Sequence, residues 1–512
     1  MQFATLFRYL PVACLFGVAF LMIIRDYLDY PYSIDVDHFM YFGQRVLSGD
    51  LPWAVEFDDK LPFVQYIFVL PALLGTPFVL YAFSIITTAF SAFCIYRYYQ
   101  SLPSLSEDGN ERFFGWVSTA LLLYLFLMLQ SGFMHLNVIA ANLAISSALV
   151  LLISVNRRFF LFFVLSTILA CFAISIRPYF LVAVLLSPFW WSLRSQMPIL
   201  RGIRFSIIWI ACVGFFGLLV NFLPHLLFDQ VEDFLAGINL LSENLIDSNL
   251  GNTIVNFARG LLNDSSSIFL VLIITGPVSI LLLVIHRRKQ EIHRQIFLDL
   301  LFFGFVAPVA ILFMIFSKHF WSHYLQFFVP YLVLSSVLSF RLLSKSWRFP
   351  NHSSVLGLVA AAVVVTADLD DVARAARFVV APPGTSEARQ FVTLISERLD
   401  QVSGERPGFL VPGDMFAHWY LEEPRRGFLH AANASFVHLG WWDDIDAGDL
   451  LDVPTSSEAL CNRLAKHPVD VIFLPLDDAS LVCREQLALF FERQVPLSEV
   501  EAQFFEVWTR AR

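Results

Sequence analysis

Residues 159–179 read FFLFFVLSTILACFAISIRPY, an uncharged apolar run from Phe159 to Ile176 followed by Arg177, Pro178 and Tyr179. A helix needs about 17 to 25 residues to cross the hydrocarbon core of a bilayer, and this run has that length. Arg177 stands between it and a second apolar run at 179–193, with almost no loop between them. Burying that charge without an anionic partner is expensive, so a partner is expected; a snorkelling interfacial arginine is the alternative.

Working outward, the same reading repeats. Apolar runs lie at 9–24, 78–97, 113–130, 137–155, 205–224, 266–285, 297–317, 324–340 and 354–367. With 159–176 and 179–193 they make about eleven expected spans by the hydropathy rule. The whole chain agrees, since 57% of its 512 residues are hydrophobic, 15% are charged and 54 are phenylalanine. The expected class is a polytopic α-helical membrane protein. A net charge of -9 with scattered basic residues gives no reason to expect a nucleic-acid partner. The run from Tyr9 to Ile24 is followed by Arg25-Asp26 rather than a small-residue cleavage site and reads as an uncleaved anchor.

Alternate threading puts Arg157-Arg158, Arg194 to Arg204, His286 to Arg294 and Arg341 to Arg348 on one side, which the positive-inside rule makes cytoplasmic, together with the N-terminus. The acidic or neutral segments 25–62, 131–136, 225–265, 318–323 and everything after 368 fall on the other side. Residues 62–75 are apolar but short and bracketed by Pro62, Pro71 and Pro77, and read as an interfacial or re-entrant helix. The expected domains are 1–367 in the membrane, with outer loops 25–77 and 225–265, and 368–512 outside it.

After Asp368 the composition turns polar. Ser386 to Leu399 and Ser456 to Lys466 have helical spacing, while Gly408 to Pro412 and Val469 to Pro475 read as strands, so a small extracytoplasmic α/β domain is expected. Cys461 and Cys483 fall in this polar region; they pair if it faces an oxidising compartment, and otherwise sit as two thiols in a small core.

The first outer loop carries the densest ionisable stretch, Asp35-Val-Asp37-His38-Phe-Met-Tyr41. Asp37, next to His38 and Tyr41, is the first candidate for a carboxylate that takes the proton of an attacking hydroxyl or orients it, and Asp35 competes for that role. The plain alternative is a solvated loop acid. Asp58 and Asp59 beside Lys60 form a local ion pair or nothing more. Lys60, Arg177, Lys318, His319 and His323 are cations at the same expected boundary, and convergent cations are what a lipid-linked phosphate needs. Asn142 reads first as an interhelical hydrogen-bonding residue. The loop 225–265, with Asp229, Glu232, Asp233, Glu243 and Asp247, is a solvated acidic loop or a lid. Asn433-Ala-Ser435 fits a glycosylation triplet, a pattern common by chance. No nucleotide-binding glycine loop, zinc signature or serine-hydrolase elbow is present in the sequence, so no cofactor is expected; a divalent cation is left open.

Asp37-His38-Phe-Met-Tyr41, Leu47-Ser-Gly49-Asp50-Leu-Pro-Trp53 and Lys60-Leu-Pro62, then Arg177-Pro178-Tyr179 and His323-Tyr324 with Pro330, together resemble the GT-C membrane glycosyltransferases, in the branches like the protein O-mannosyltransferases and the lipid A aminoarabinose transferases. The resemblance implies transfer of a sugar from a polyprenyl-phosphate-linked donor to an envelope acceptor at the outer face of a bacterial inner membrane, usually with inversion. It makes Asp37, or Asp35, the catalytic acid. Lys60, Arg177, His323 and Lys318 become donor-phosphate ligands, while His38, Tyr41, Tyr179, Tyr324 and Asn142 become positioning residues. Two departures stand out: many relatives carry an acid where this chain has His38, and another where it has Asn142. The alternatives are a transporter or flippase of lipid-linked saccharide, a non-catalytic relative, and a scaffold whose outer domain binds a partner.

Overall fold

The structure is a computed structural model. It describes residues 61–74, 78–102, 111–127, 136–153, 159–244, 273–281, 294–316, 322–346, 470–476, 483–499 and 501–511, with isolated residues or short pieces within 12–23, 40–53, 393–401, 409–410, 461 and 465. The chain divides into two compact units. Unit 1 is Met1–Leu28, Leu80–Val220 and Ser248–Pro382; unit 2 is Asp29–Val79, Asn221–Asp247 and Pro383–Arg512.

Unit 1 is a helical bundle. Its elements are α3 (Phe78–Ser101), α4 (Glu111–Leu127), α5 (Leu136–Ile153), α6 (Phe159–Ile176), a 3-10 turn at Pro178–Phe180, α7 (Leu181–Arg194), α8 (Ile199–Leu227, whose end belongs to unit 2), helical residues 273–281, α10 (Arg294–Phe316), a 3-10 turn at Ser322–Phe328, and α11 (Val329–Ser346). Five stretches are long and apolar enough to cross a membrane: Val79–Ser101, Phe159–Ile176, Ile199–Leu227, Arg294–Leu312 and Tyr324–Arg341. This is the make-up of a helical membrane protein, and five of the spans expected from the sequence coincide with these stretches. The runs at 113–130 and 137–155 form shorter apolar helices, and 179–193 becomes a 3-10 turn leading into the 14-residue α7. The span expected at 354–367 lies outside the described residues.

Small polar side chains join the bundle where apolar packing alone would leave register undefined. Ser147 and Ser166 each donate to the other's carbonyl at 2.8 Å, pinning α5 to α6. Ser91 of α3 sits 2.8 Å from the Ser146 hydroxyl, and Trp191 Nε1 of α7 donates to the Leu151 carbonyl at 2.7 Å. Gly276 packs so closely on Gly304 that an added Cβ would lie 2.8 Å from its Cα.

Unit 2 contains α1 (Pro62–Ile67), α2 (Val69–Leu73), the end of α8, α9 (Val231–Asn244) and a small sheet. The expected interfacial segment is thus two short helices in tandem, with Pro62 in the first turn, where a missing N–H costs nothing. The expected loop 225–265 requires correction, because residues 231–244 form a helix. Its buried Phe234 and Gly237 share one face, while Glu232 and Leu235 are exposed. The sheet runs β1 (Phe409–Leu410), β2 (Val471–Pro475), β4 (Phe505–Arg510), β3 (Phe491–Arg493). β1 and β2 are parallel, as expected of an α/β unit, but β4 is antiparallel to both its neighbours, so the sheet is mixed. Ile395, Val471, Phe473, Phe505 and Val507 form its core, and Cys461 is disulfide-bonded to Cys483.

Candidate functional site

The Arg-Pro step predicts a helix end, because the proline ring excludes helical backbone from the residue before it. α6 accordingly stops at Ile176, and Arg177 takes an extended conformation (φ -144°, ψ 103°) before the 3-10 turn. Its backbone N–H still donates to Ala173 O at 2.9 Å, and its carbonyl accepts from Phe180 N–H at 3.1 Å. The side chain is 4% exposed. Its Nε donates to Asn137 Oδ1 at 2.8 Å, at the start of α5. Among the described residues that amide is its one side-chain partner, so a full positive charge is buried against a neutral group.

The turn that follows packs on the second 3-10 turn through aromatic rings. The Tyr179 ring lies 5.5 Å from Tyr324 and 5.9 Å from Phe327, while Tyr324 stacks on Phe327 at 5.1 Å. Phe180 adds a contact to Phe327 at 5.3 Å. Tyr324 is buried and Tyr179 half-buried, so the Tyr179 ring forms the outer edge of the group. Tyr179, two residues after Arg177, and Tyr324, far from it in sequence, are therefore brought together. Asn142 is one and a half turns along α5 from Asn137, fully buried, and its Nδ2 donates to Thr88 Oγ1 of α3 at 2.8 Å. It joins α5 to α3, as read first from the sequence. Asp35, Asp37, His38, Tyr41, Lys60, Lys318 and His319 lie outside the described residues. His323 lies in the second 3-10 turn, and its side chain falls outside the description as well.

A second buried cluster, not expected from the sequence, surrounds Asp299. Asp299 of α10 is 0% exposed, and its carboxylate accepts from Tyr98 Oη at 2.8 Å, from Trp190 Nε1 at 3.1 Å and from Arg194 Nε at 2.8 and 3.0 Å. Arg194, expected in a cytoplasmic loop, is instead in the last turn of α7 and 7% exposed. Trp190 stacks on Phe302 at 4.3 Å, and Arg194 lies over the Tyr98 ring. The signal available was the lone acid inside the apolar run 297–317, since an ionisable residue at such a place requires a partner.

In unit 2, Glu506 is buried under Arg484 and Arg493, and Arg398 Nε lies 3.5 Å from Glu501. Asp233 is half-buried; burial raises its carboxyl above the usual range, His225 lowers it, and neighbouring Glu232 raises it further. No group of His, Cys, Asp and Glu among the described residues is arranged to hold a metal ion.

No family model matches the chain, and no curated protein matches it. Its functional reading therefore rests on its own residues.

Proposed function

We propose that this protein is a membrane glycosyltransferase: it moves a sugar from a polyprenyl-phosphate-linked donor to an acceptor on the outer face of a bacterial plasma membrane. The observation that carries the reading is Arg177, a buried guanidinium at the end of an apolar helix whose described side-chain partner is the neutral Asn137. A planar, permanently charged fork in that setting matches a phosphate, which supplies both the missing charge and the acceptor oxygens. Tyr179, two residues further on, is half-buried against Tyr324 and Phe327.

In this mechanism an acceptor hydroxyl loses its proton to Asp37, or to Asp35, as its oxygen attacks the anomeric carbon. The bond from that carbon to the phosphate oxygen breaks, and polyprenyl phosphate leaves carrying the electron pair. Arg177, with Lys60, Lys318 and His323, stabilises the charge that gathers on the departing phosphate. The membership of the two units supports a common outer side: 29–79, 221–247 and 383–512, all in unit 2, lie largely in the segments that the charge rule puts on one face. The Cys461–Cys483 disulfide is in keeping with an oxidising outer compartment. The test is Asp37→Asn. It should abolish sugar transfer while expression and donor binding persist; undiminished turnover with asparagine removes Asp37 from this role.

A further inference from the structure

α7 ends in a closed turn. Met197 N–H donates to Ser192 O at 3.1 Å and Gln196 N–H to Leu193 O at 3.3 Å, while Gln196 takes the left-handed backbone (φ 56°) that such a helix cap uses. The chain then re-enters a helix at once, as α8. Its first turn lies on the last turn of α7, for a Cβ added at Gly202 would come within 3.0 Å of the Ser192 Cβ. Rings lock the same corner: Phe205 of α8 lies 4.5 Å from Trp191 and 6.0 Å from Phe159, the first residue of α6. The end of α7 and the starts of α6 and α8 therefore meet. Arg177 is at the other end of α6, roughly 27 Å along its axis.

Arg201 and Arg204 stand on this corner, three positions apart on α8 and both exposed. No Asp or Glu occurs in α6, α7 or α8, so no acid of these helices offsets them. Further along α8 the same face turns apolar. Ile208, Ala211, Phe215 and Leu218 follow Arg204 at helical spacing, and all four are exposed. Ile208 to Leu218 spans roughly 15 Å, the depth of one leaflet's half of a hydrocarbon core about 30 Å thick. Of the five apolar stretches α8 is also the least covered: 22% of it is buried, against at least 39% of each of the others.

We propose that this corner is a binding site for an anionic phospholipid. The lipid phosphate sits between the guanidiniums of Arg201 and Arg204, and an acyl chain lies along Ile208, Ala211, Phe215 and Leu218. Charge decides the class: two cations with no acid on their own helices favour a net negative headgroup over a zwitterionic one, whose ammonium they repel. The charge rule assigns this end of the bundle to the cytoplasm, whose leaflet is the anionic one. The site is separate from the place proposed for the donor phosphate and does not depend on glycosyl transfer.

The experiment is native mass spectrometry of the full chain in detergent, with phosphatidylglycerol and phosphatidylcholine of the same acyl chains as competing probes. Wild type should bind phosphatidylglycerol about thirtyfold more tightly, since each arginine near a membrane surface contributes about fivefold. Arg201→Gln and Arg204→Gln should each cut that preference about fivefold and together abolish it, whereas Arg201→Lys with Arg204→Lys should keep most of it. Equal binding of the two lipids by wild type overturns the proposal, as does a double glutamine variant that keeps the preference. A second measurement needs only wild type and so does not hang on a variant that fails to fold. Phosphatidylglycerol with a diazirine in its acyl chain should label residues 203–218 more heavily than the phosphatidylcholine analogue does. Equal labelling by the two overturns the proposal as well.

Discussion

Two of the arginines buried in unit 1, Arg194 and Arg177, keep different company. Arg194 has its charge paired: Asp299 lies against its Nε, and Tyr98 and Trp190 fill the remaining positions on the carboxylate, although Nη2 of the guanidinium has no hydrogen-bond partner. Arg177 meets only an amide oxygen among the described residues, although it is at least as buried. A buried charge balanced inside the protein is structural, since removing one partner strands the other. One left unbalanced is where the proposed function puts a ligand.

The largest effect should come from breaking the balanced pair. Asp299→Leu strands Arg194 and should cost about 3–5 kcal/mol in denaturant unfolding of the detergent-solubilised protein. Adding Arg194→Leu should recover most of that loss. If the single variant is as stable as wild type, the two arginines do not differ as described.

Arg177→Leu should behave oppositely. Stability should change little, because no carboxylate among the described residues is stranded, while transfer should fall by about a hundredfold, roughly 2.7 kcal/mol of transition-state stabilisation. A variant that unfolds while donor affinity is unchanged would make Arg177 a structural residue too. Arg177→Lys keeps the charge but loses the planar fork and the bond to Asn137, so transfer should fall about tenfold, measured as kcat/KM with a lipid-linked sugar.

The smallest effects belong to the amides. Asn137→Ala releases Arg177 from its one described side-chain hydrogen bond and should cost about 1.5 kcal/mol in donor affinity. Asn142→Ala removes a bond between α5 and α3 and should cost about 0.6 kcal/mol in unfolding with transfer unchanged. An activity loss at Asn142 larger than at Asn137 would reverse their assignment.

What the sequence made legible follows from how local each cause is. The apolar helix 159–176 and its stop at Arg177 are written in adjacent residues, because chain length and the proline ring decide them. A short helical segment after Pro62 is legible for the same reason, as one helix rather than the two in tandem that form. Arg194 was misplaced because it ends an apolar run, where loop charges usually begin; its partner is 105 positions away, and periodicity cannot see it. α9 does not announce itself in the sequence because its acids outweigh the single apolar face, whose Phe234 packs on Trp53 and His225. The strands β3 and β4 are short, and nothing in their composition announces an antiparallel pair. For the candidate site, the residue types at 177, 179 and 324 pointed to one place, and the rings of Tyr179 and Tyr324 do meet. That Asn137 would be the residue holding Arg177 was not legible, since an amide at a helix start has many plain uses.

The central claim is that Arg177 is the arginine left for a phosphate. The most direct measurement is binding of a polyprenyl phosphate to the protein in nanodiscs, comparing wild type with Arg177→Gln. The account predicts at least about a tenfold rise in Kd for the glutamine variant, with the melting temperature preserved. Equal affinity in the two proteins, both folded, would contradict it.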